Sequence, residues 1–534
     1  MTHATALDCL ARLRDLRGKE PAALQALFDE LLDALLASVP TSRRHLDVLE
    51  TMREPLDRAL GALSQSYAGR PVPPDAPENA TLLRIVATWT RMADAYGLIA
   101  QDTALGNSAS THALLAQRRT DCLARVVLEY LRARRHPAPG LWRAVHDSLL
   151  DAEARGFAYT RAPDPLNPWQ AQSAAEAHAA LLLMDLSNPF TRSPRELDQI
   201  WRCARHFAPH CRLLPEGSDA EDGRRTACGL DMSADHGLRP IAAMTHLDGV
   251  RRFESMQLAD RFREVTARIR KRNSVAELDL DASVGVEEAV RLLLSLYRPW
   301  ARGTAGRRFV RRPGGGTAEL TSDREAIGFY LTGRPFVQPA LHEQPQNLYR
   351  DLRTLTLGEQ VADVTIDEAP AIRRAAQRRG YICTQWEILD QSLGGFRLRR
   401  QGSADRLEHR ALVALRPGDA RSFMLGTVSW VMYREDGALE VGIRLLEGVP
   451  TEVAVRPVGI GRNRFDLSFQ QAFHLSETPA LKTPATLVLP AGFFQPFRVI
   501  ELYDGSLRGV RLLEVLHRGA DFDQVSFEAV SVAA

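Results

Sequence analysis

The residues with the most chemical promise form one short run, Trp386-Glu387-Ile388-Leu389-Asp390-Gln391-Ser392-Leu393-Gly394-Gly395-Phe396-Arg397-Leu398. An alternating strand runs into Asp-x-Ser-x-x-Gly, and a second alternating strand leaves it. Asp390 and Ser392 suit such a turn, because short polar side chains hydrogen-bond to their own backbone. Gly394 and Gly395 permit unusual backbone angles and let a ligand approach the main chain. The exposed amides of a turn of this kind suit an anion or the edge of a guanine. Arginine is the second ingredient. It supplies nearly all the positive charge of the chain, and its planar fork matches phosphate oxygens. Arg307, Arg308, Arg311 and Arg312 lie in Gly306-Arg-Arg-Phe-Val-Arg-Arg-Pro313 and give two overlapping Arg-x-x-x-Arg pairs, while Arg374 and Arg378 give another.

Turn and arginines together resemble the PilZ domain, whose signature is Asp/Asn-x-Ser-x-x-Gly on a small barrel, with Arg-x-x-x-Arg before the first strand. The resemblance covers roughly residues 305–450. It extends to Leu425-Gly426-Thr427-Val428-Ser429-Trp430-Val431 and Leu439-Glu440-Val441-Gly442-Ile443-Arg444-Leu445-Leu446, which look like the closing strand pair of that barrel. The resemblance implies cyclic di-GMP as ligand. It also implies that the arginine pair grips phosphates and guanine faces while Asp390, Ser392, Gly394 and Gly395 contact a guanine edge. Such contacts fit what arginine offers to phosphate and to guanine O6 and N7. The pair within Arg307–Arg312 stands where the family has it but about 80 residues before Asp390, which requires an insertion between the first two strands. Arg374 and Arg378 leave no room for a first strand and sit at the end of a helix. The first pair is the preferred assignment, and ligand is expected to dock its segment onto the barrel.

Other motifs have plainer readings. Asp504-Gly505-Ser506-Leu507-Arg508-Gly509 repeats the pattern between two strands and reads as a hairpin turn, with a second PilZ-like barrel as the alternative. Cys203-x-x-His206-x-x-x-His210-Cys211 has ligand types suited to zinc, but Pro209 breaks the helix face, so a helix end with scattered Cys and His is expected. The chain has no Gly-x-x-x-x-Gly-Lys-Ser/Thr loop, no Gly-x-Ser-x-Gly elbow and no His-Glu-x-x-His, which argues against the enzyme classes built on them. Trp89, Trp142, Trp169, Trp201 and Trp300 read as helix-packing anchors.

These residues have to be positioned by a long chain. Its 534 residues allow roughly two to four domains. A net charge of +2 argues against bulk electrostatic binding of nucleic acid. No apolar run approaches the ~18 residues that span a bilayer, the N-terminus lacks an apolar leader core, and six scattered cysteines suit reduced thiols. A cytoplasmic protein without membrane insertion is expected. Leu24, Leu27, Phe28, Leu31, Leu32, Leu35 and Leu36 recur at helical spacing, and Ser193-Pro194-Arg195-Glu196 reads as a capped helix start. Residues 212–275 are ambiguous, with a possible strand over Leu238–Met244 and a helix over Met256–Arg270. After Pro299 short β-branched or alternating runs take over.

The expected fold is α+β and multidomain: an N-terminal all-α irregular helical array of TPR-like helix pairs, then a PilZ-like β-barrel and an additional β module. The boundaries are 1–205 for the array, 206–300 for a mixed linker or helical subdomain, 301–456 for the barrel with an insertion at about 332–380, and 457–534 for the C-terminal module. The expected function is a cyclic di-GMP effector, not an enzyme, with no cofactor and no bound metal. Its helical part would engage an unknown protein partner. The alternative is a ligand-independent scaffold with a degenerate PilZ fold.

Overall fold

The computed structural model describes residues 6–14, 16, 18–37, 43–101, 108–214, 228–246, 249–281, 283–302, 311–339, 369–402, 405–458 and 468–530. They form two compact units, residues 1–307 with 432–436 and residues 308–431 with 437–534.

The first unit is built from α1 (Ala6–Arg12), α2 (Pro21–Leu36), α3 (Arg43–Ser64), α4 (Ala76–Gln101), α5 (Ala109–Arg132), α6 (Leu141–Ala154), α7 (Ala174–Leu186), α8 (Pro194–Phe207), α9 (Met256–Arg272) and α10 (Val286–Arg302). The leucine stripe of α2 buries Phe28, Leu31, Leu32 and Leu35, as its spacing requires. Ser193 caps α8 in a full capping box with Glu196, and Ser173 and Glu176 repeat the device on α7. Trp89, Trp142, Trp201 and Trp300 are buried in the core, whereas Trp169 is 37% exposed. A charged cluster is also buried here. Arg53 reaches Asp164 at 2.6 Å and Asp121 at 3.0 Å, and Arg118 reaches Glu50 at 2.8 Å.

A pair of two-residue strands, β1 (Ala162–Pro163) and β2 (Ala171–Gln172), joins α6 to α7. Between α8 and α9 lies a small antiparallel sheet of β3 (Arg212–Leu214), β4 (Cys228–Asp231), β5 (Arg239–Pro240) and β6 (Val250–Glu254), in the order β3-β6-β4-β5. The strand expected over Leu238–Met244 shrinks to Arg239–Pro240, followed by a 3-10 turn over Ile241–Ala243. Pro240 has no amide proton to continue a ladder.

The second unit holds two barrels. The first consists of β8 (Thr317–Thr321), β9 (Thr384–Ser392), β10 (Gly395–Gln401), β11 (Leu412–Pro417), β12 (Met424–Tyr433) and β13 (Ala438–Leu445), preceded by the short edge strand β7 (Arg312–Pro313). Its six strands close in the ring β8-β9-β10-β13-β12-β11. The expected hairpin at Glu435-Asp436-Gly437 links β12 to β13, with Gly437 at φ 78°. Between β8 and β9 stand α11 (Arg324–Thr332) and α12 (Ala369–Arg378).

The second barrel consists of β14 (Pro450–Pro457), β15 (Gln470–Leu475), β16 (Thr486–Pro490), β17 (Val499–Tyr503), β18 (Leu507–Arg518) and β19 (Phe522–Val530), closed as β14-β15-β16-β19-β18-β17. Strands β14 and β15 escaped the sequence reading. β14 is bracketed by Pro450 and Pro457, and prolines inside a run argue locally against a strand. Its residues Val453 and Val455, with Leu487, Leu502 and Val525, fill the barrel interior.

Candidate ligand face of the first barrel

The run singled out by its chemistry folds into the β9–β10 hairpin. Ser392 pairs with Gly395 across a two-residue turn of Leu393 and Gly394. Ser392 Oγ donates to the Gly395 carbonyl at 3.3 Å, and the Gly394 carbonyl accepts from Leu445 N–H at 3.1 Å. Gly395 is needed for closeness, since a Cβ there would stand 2.0 Å from the carbonyl oxygen of Ile443. Leu393, at the tip, is 86% exposed.

The chain brings an arginine to this hairpin from far upstream. β7 pairs with the end of β9, Arg312 opposite Gln391 and Pro313 opposite Asp390. Gly314 N–H continues the ladder to the Leu389 carbonyl at 2.9 Å, and a Cβ on Gly314 would meet the Ile388 carbonyl oxygen at 2.5 Å. The glycine run after the arginines therefore lets the segment lie flat on β9. Arg311 then donates to the Asp390 carboxylate at 2.5 Å, with side-chain exposures of 32% and 20%. Arg311 of the preferred arginine segment thus stands at the hairpin, with the barrel's own carboxylate as partner. Arg312 is exposed in β7; Arg307 and Arg308 lie outside the described residues. Arg374 and Arg378 stand on α12 and, with Ala371 and Gln377, line a surface depression of about 540 Å³. Their neighbour Arg373 pairs with Glu319 of β8.

Four residues of this face, Arg397, Glu440, Gly442 and Trp430, were not recognised from sequence. Arg397 of β10 faces Asp390 in register, with Nη1 3.9 Å from the carboxylate, and its Nη2 donates to Glu440 at 2.7 Å. The Nε of Arg397 is buried and has no hydrogen-bond partner among the described residues. Arg397 is also in register with Gly442 of β13. The indole of Trp430 lies on that glycine, 2.0 Å from where a Cβ would be, with the Arg397 guanidinium 6.0 Å from its centroid. The hairpin, two arginines, two carboxylates and a half-buried indole therefore share one face. The period-2 alternation of β10 could have flagged Arg397, but the adjacency of Trp430 and Gly442 depends on strand pairing.

The remaining candidates are placed elsewhere. Asp504 accepts hydrogen bonds from Ser506, at 3.3 Å, and from Arg508 within the β17–β18 hairpin. In the helical unit, burial pushes the Cys203 thiol up to about 12, and the His206 imidazole down to about 4. Cys211 Sγ donates to the Phe207 carbonyl at 3.8 Å, and His206 stacks on Trp169 at 4.9 Å. A thiol held protonated is a poor metal ligand, and no metal-holding group of three or more His, Cys, Asp or Glu occurs among the described residues.

Comparison with known families gives two matches. Residues 7–217 match the family described as cyclic-di-GMP receptor FimW, N-terminal domain, and residues 453–530 match the FimW C-terminal beta-barrel domain. The helical part, expected only as TPR-like helix pairs of no assigned family, is covered by the first of these matches. The barrel that carries Asp390 lies between the two matched stretches. No curated protein matches the chain. None of the six cysteines is joined in a disulfide, and no helix among the described residues is long and apolar enough to cross a membrane.

Proposed function

We propose that this chain, similar at both ends to one cyclic-di-GMP receptor family, binds cyclic di-GMP on the first barrel and acts as a cytoplasmic effector. The barrel is read as PilZ-like, with the β9–β10 hairpin contacting a guanine edge and arginines taking the phosphates. The observation that carries the reading is the position of Arg311 on Asp390, because it sets a forked cation at the Asp-x-Ser-x-x-Gly turn. Arg397, with its unpartnered Nε, and the indole of Trp430 add a further donor and a stacking surface. Flat bases and a guanidinium plane are natural partners for that surface. Ligand phosphate competes with Asp390 for Arg311, and the exchange of partners is the event that the effector transmits. The helical unit serves as the surface for a protein partner, and the role is that of a receptor rather than a catalyst.

Isothermal titration of cyclic di-GMP into the full chain, with GTP as control, tests this reading. Binding at about 1 μM or tighter, about −8 kcal/mol, is the expected result, accompanied by thermal stabilisation. No heat and no shift in melting temperature at high ligand concentration would sink it.

A further inference from the structure

The two barrels share one topology. Numbered from its own first strand, each ring runs first, second, third, sixth, fifth, fourth. Corresponding positions can therefore be compared strand by strand. In the first barrel the second-to-third turn is the tight Leu393-Gly394 hairpin. In the second barrel the same connection, from β15 to β16, is a longer loop with a 3-10 turn at Pro479–Leu481. The Asp504 motif sits in the fourth-to-fifth turn, a different corner of the barrel.

The outer faces of the second, third and sixth strands differ as sharply. In the first barrel that face carries Asp390, Arg397 and Glu440. In the second it carries Phe473 and Leu475 of β15, Val488 of β16 and Phe522 of β19, all fully buried. These four form one cluster with Ile327 of α11, Leu412 and Ala414 of β11, Phe423, Leu425 of β12 and Leu446. Polar bonds close the edge of the contact. Leu412 N–H donates to the Asp521 carboxylate at 2.8 Å, Ala520 N–H to the Arg410 carbonyl at 2.9 Å, and Arg324 Nη2 to the Asp521 carbonyl at 3.0 Å.

We infer that the second barrel is a copy of the ligand-barrel fold that takes no cyclic dinucleotide, and that the face corresponding to the ligand face is instead the dock fusing it to the first barrel. An apolar face sealed in a shared core has neither donors for phosphate nor room for a base. Fusion through a common core makes the two barrels one cooperative unit. The single-site part of this inference rests on the proposed function; the fusion part does not.

The test uses the full chain in two arms. In titrations with cyclic di-GMP, Asp390→Ala loses the guanine-edge contact and weakens binding at least about tenfold, whereas Asp504→Ala leaves the affinity within about twofold. An affinity unchanged by Asp390→Ala and lost with Asp504→Ala overturns the single-site assignment. In the second arm, hydrogen exchange is followed against urea in peptides from 412–417 and 486–490. Both segments lose protection at one urea concentration, and Val488→Ala moves both midpoints down together. Two separate transitions, or a shift confined to 486–490, overturn the fusion. A wild-type chain that binds no dinucleotide would defeat the reading of the first barrel, and the exchange arm would still decide the role of the second.

Discussion

Arg311 donates to Asp390 across 2.5 Å although 79 positions separate them in the chain. The contact exists because β7 lies antiparallel against the end of β9 and Gly314 lets the backbone approach. Asp390 also faces Arg397, so one carboxylate orients two cations.

Replacing Arg311 by Ala removes the donor that a phosphate would take. Cyclic di-GMP affinity is expected to fall at least about tenfold, the scale of one charge-assisted contact, while the melting temperature of the apo protein changes little because the pair is partly exposed. Calorimetry and a thermal melt on the same preparation check both halves. An unchanged affinity removes Arg311 from the site.

Gly442 is the floor under Trp430. A Gly442→Ala substitution puts a methyl 2.0 Å from the indole nitrogen, so the ring must move away from Arg397. The expected outcome is a shifted tryptophan emission together with weaker ligand binding. Trp430→Ala should weaken binding by roughly 1–3 kcal/mol, the range measured for base–aromatic stacking. Equal affinity in wild type and both variants would assign the indole to packing alone.

Gly395 answers to stability before ligand. Its Cβ would collide with the Ile443 carbonyl oxygen at 2.0 Å, so Gly395→Ala must part β10 from β13 at the hairpin. Backbone strain of this kind costs about 1–3 kcal/mol, and a melt should record it as a fall of several degrees. A wild-type melting temperature would show that the hairpin yields freely.

The helical unit should be acid-labile. Burial alone would raise Asp121, Asp164 and Glu50, and the surrounding arginines more than reverse it, leaving all three below the ordinary carboxylate range. Burial also lowers His146, His178 and His206, the last to about 4. A folded-state pKa below the unfolded one means that the unfolded chain binds protons first, so stability falls as pH falls. The loss begins near the ordinary histidine value of about 6.5 and steepens below about 4, as the carboxylates follow. Urea midpoints of helical circular dichroism at pH 7.5, 5.5 and 4 should decrease in that order. A flat profile would contradict the assignment of these groups as buried and neutral or paired.

Much of the local structure was legible in the sequence, because it is decided by neighbours in the chain. The leucine stripe of α2, the Ser193–Glu196 capping box, the Glu435-Asp436-Gly437 turn and the Asp390–Gly395 hairpin each depend on residues a few positions apart. So did the α+β division, since apolar period changes from helical to alternating near Pro299. What required the tertiary structure was everything that pairs distant segments. Register decides that Arg397 faces Asp390 and that Trp430 lies on Gly442, and no spacing within one strand encodes it. Ring closure likewise rescued β14, whose bracketing prolines argue against a strand until neighbours supply its hydrogen bonds, and the six-residue β15. The same holds for the outer faces of β15, β16 and β19: runs apolar on both sides look like any buried strand, and only the packing of one barrel on the other shows what covers them.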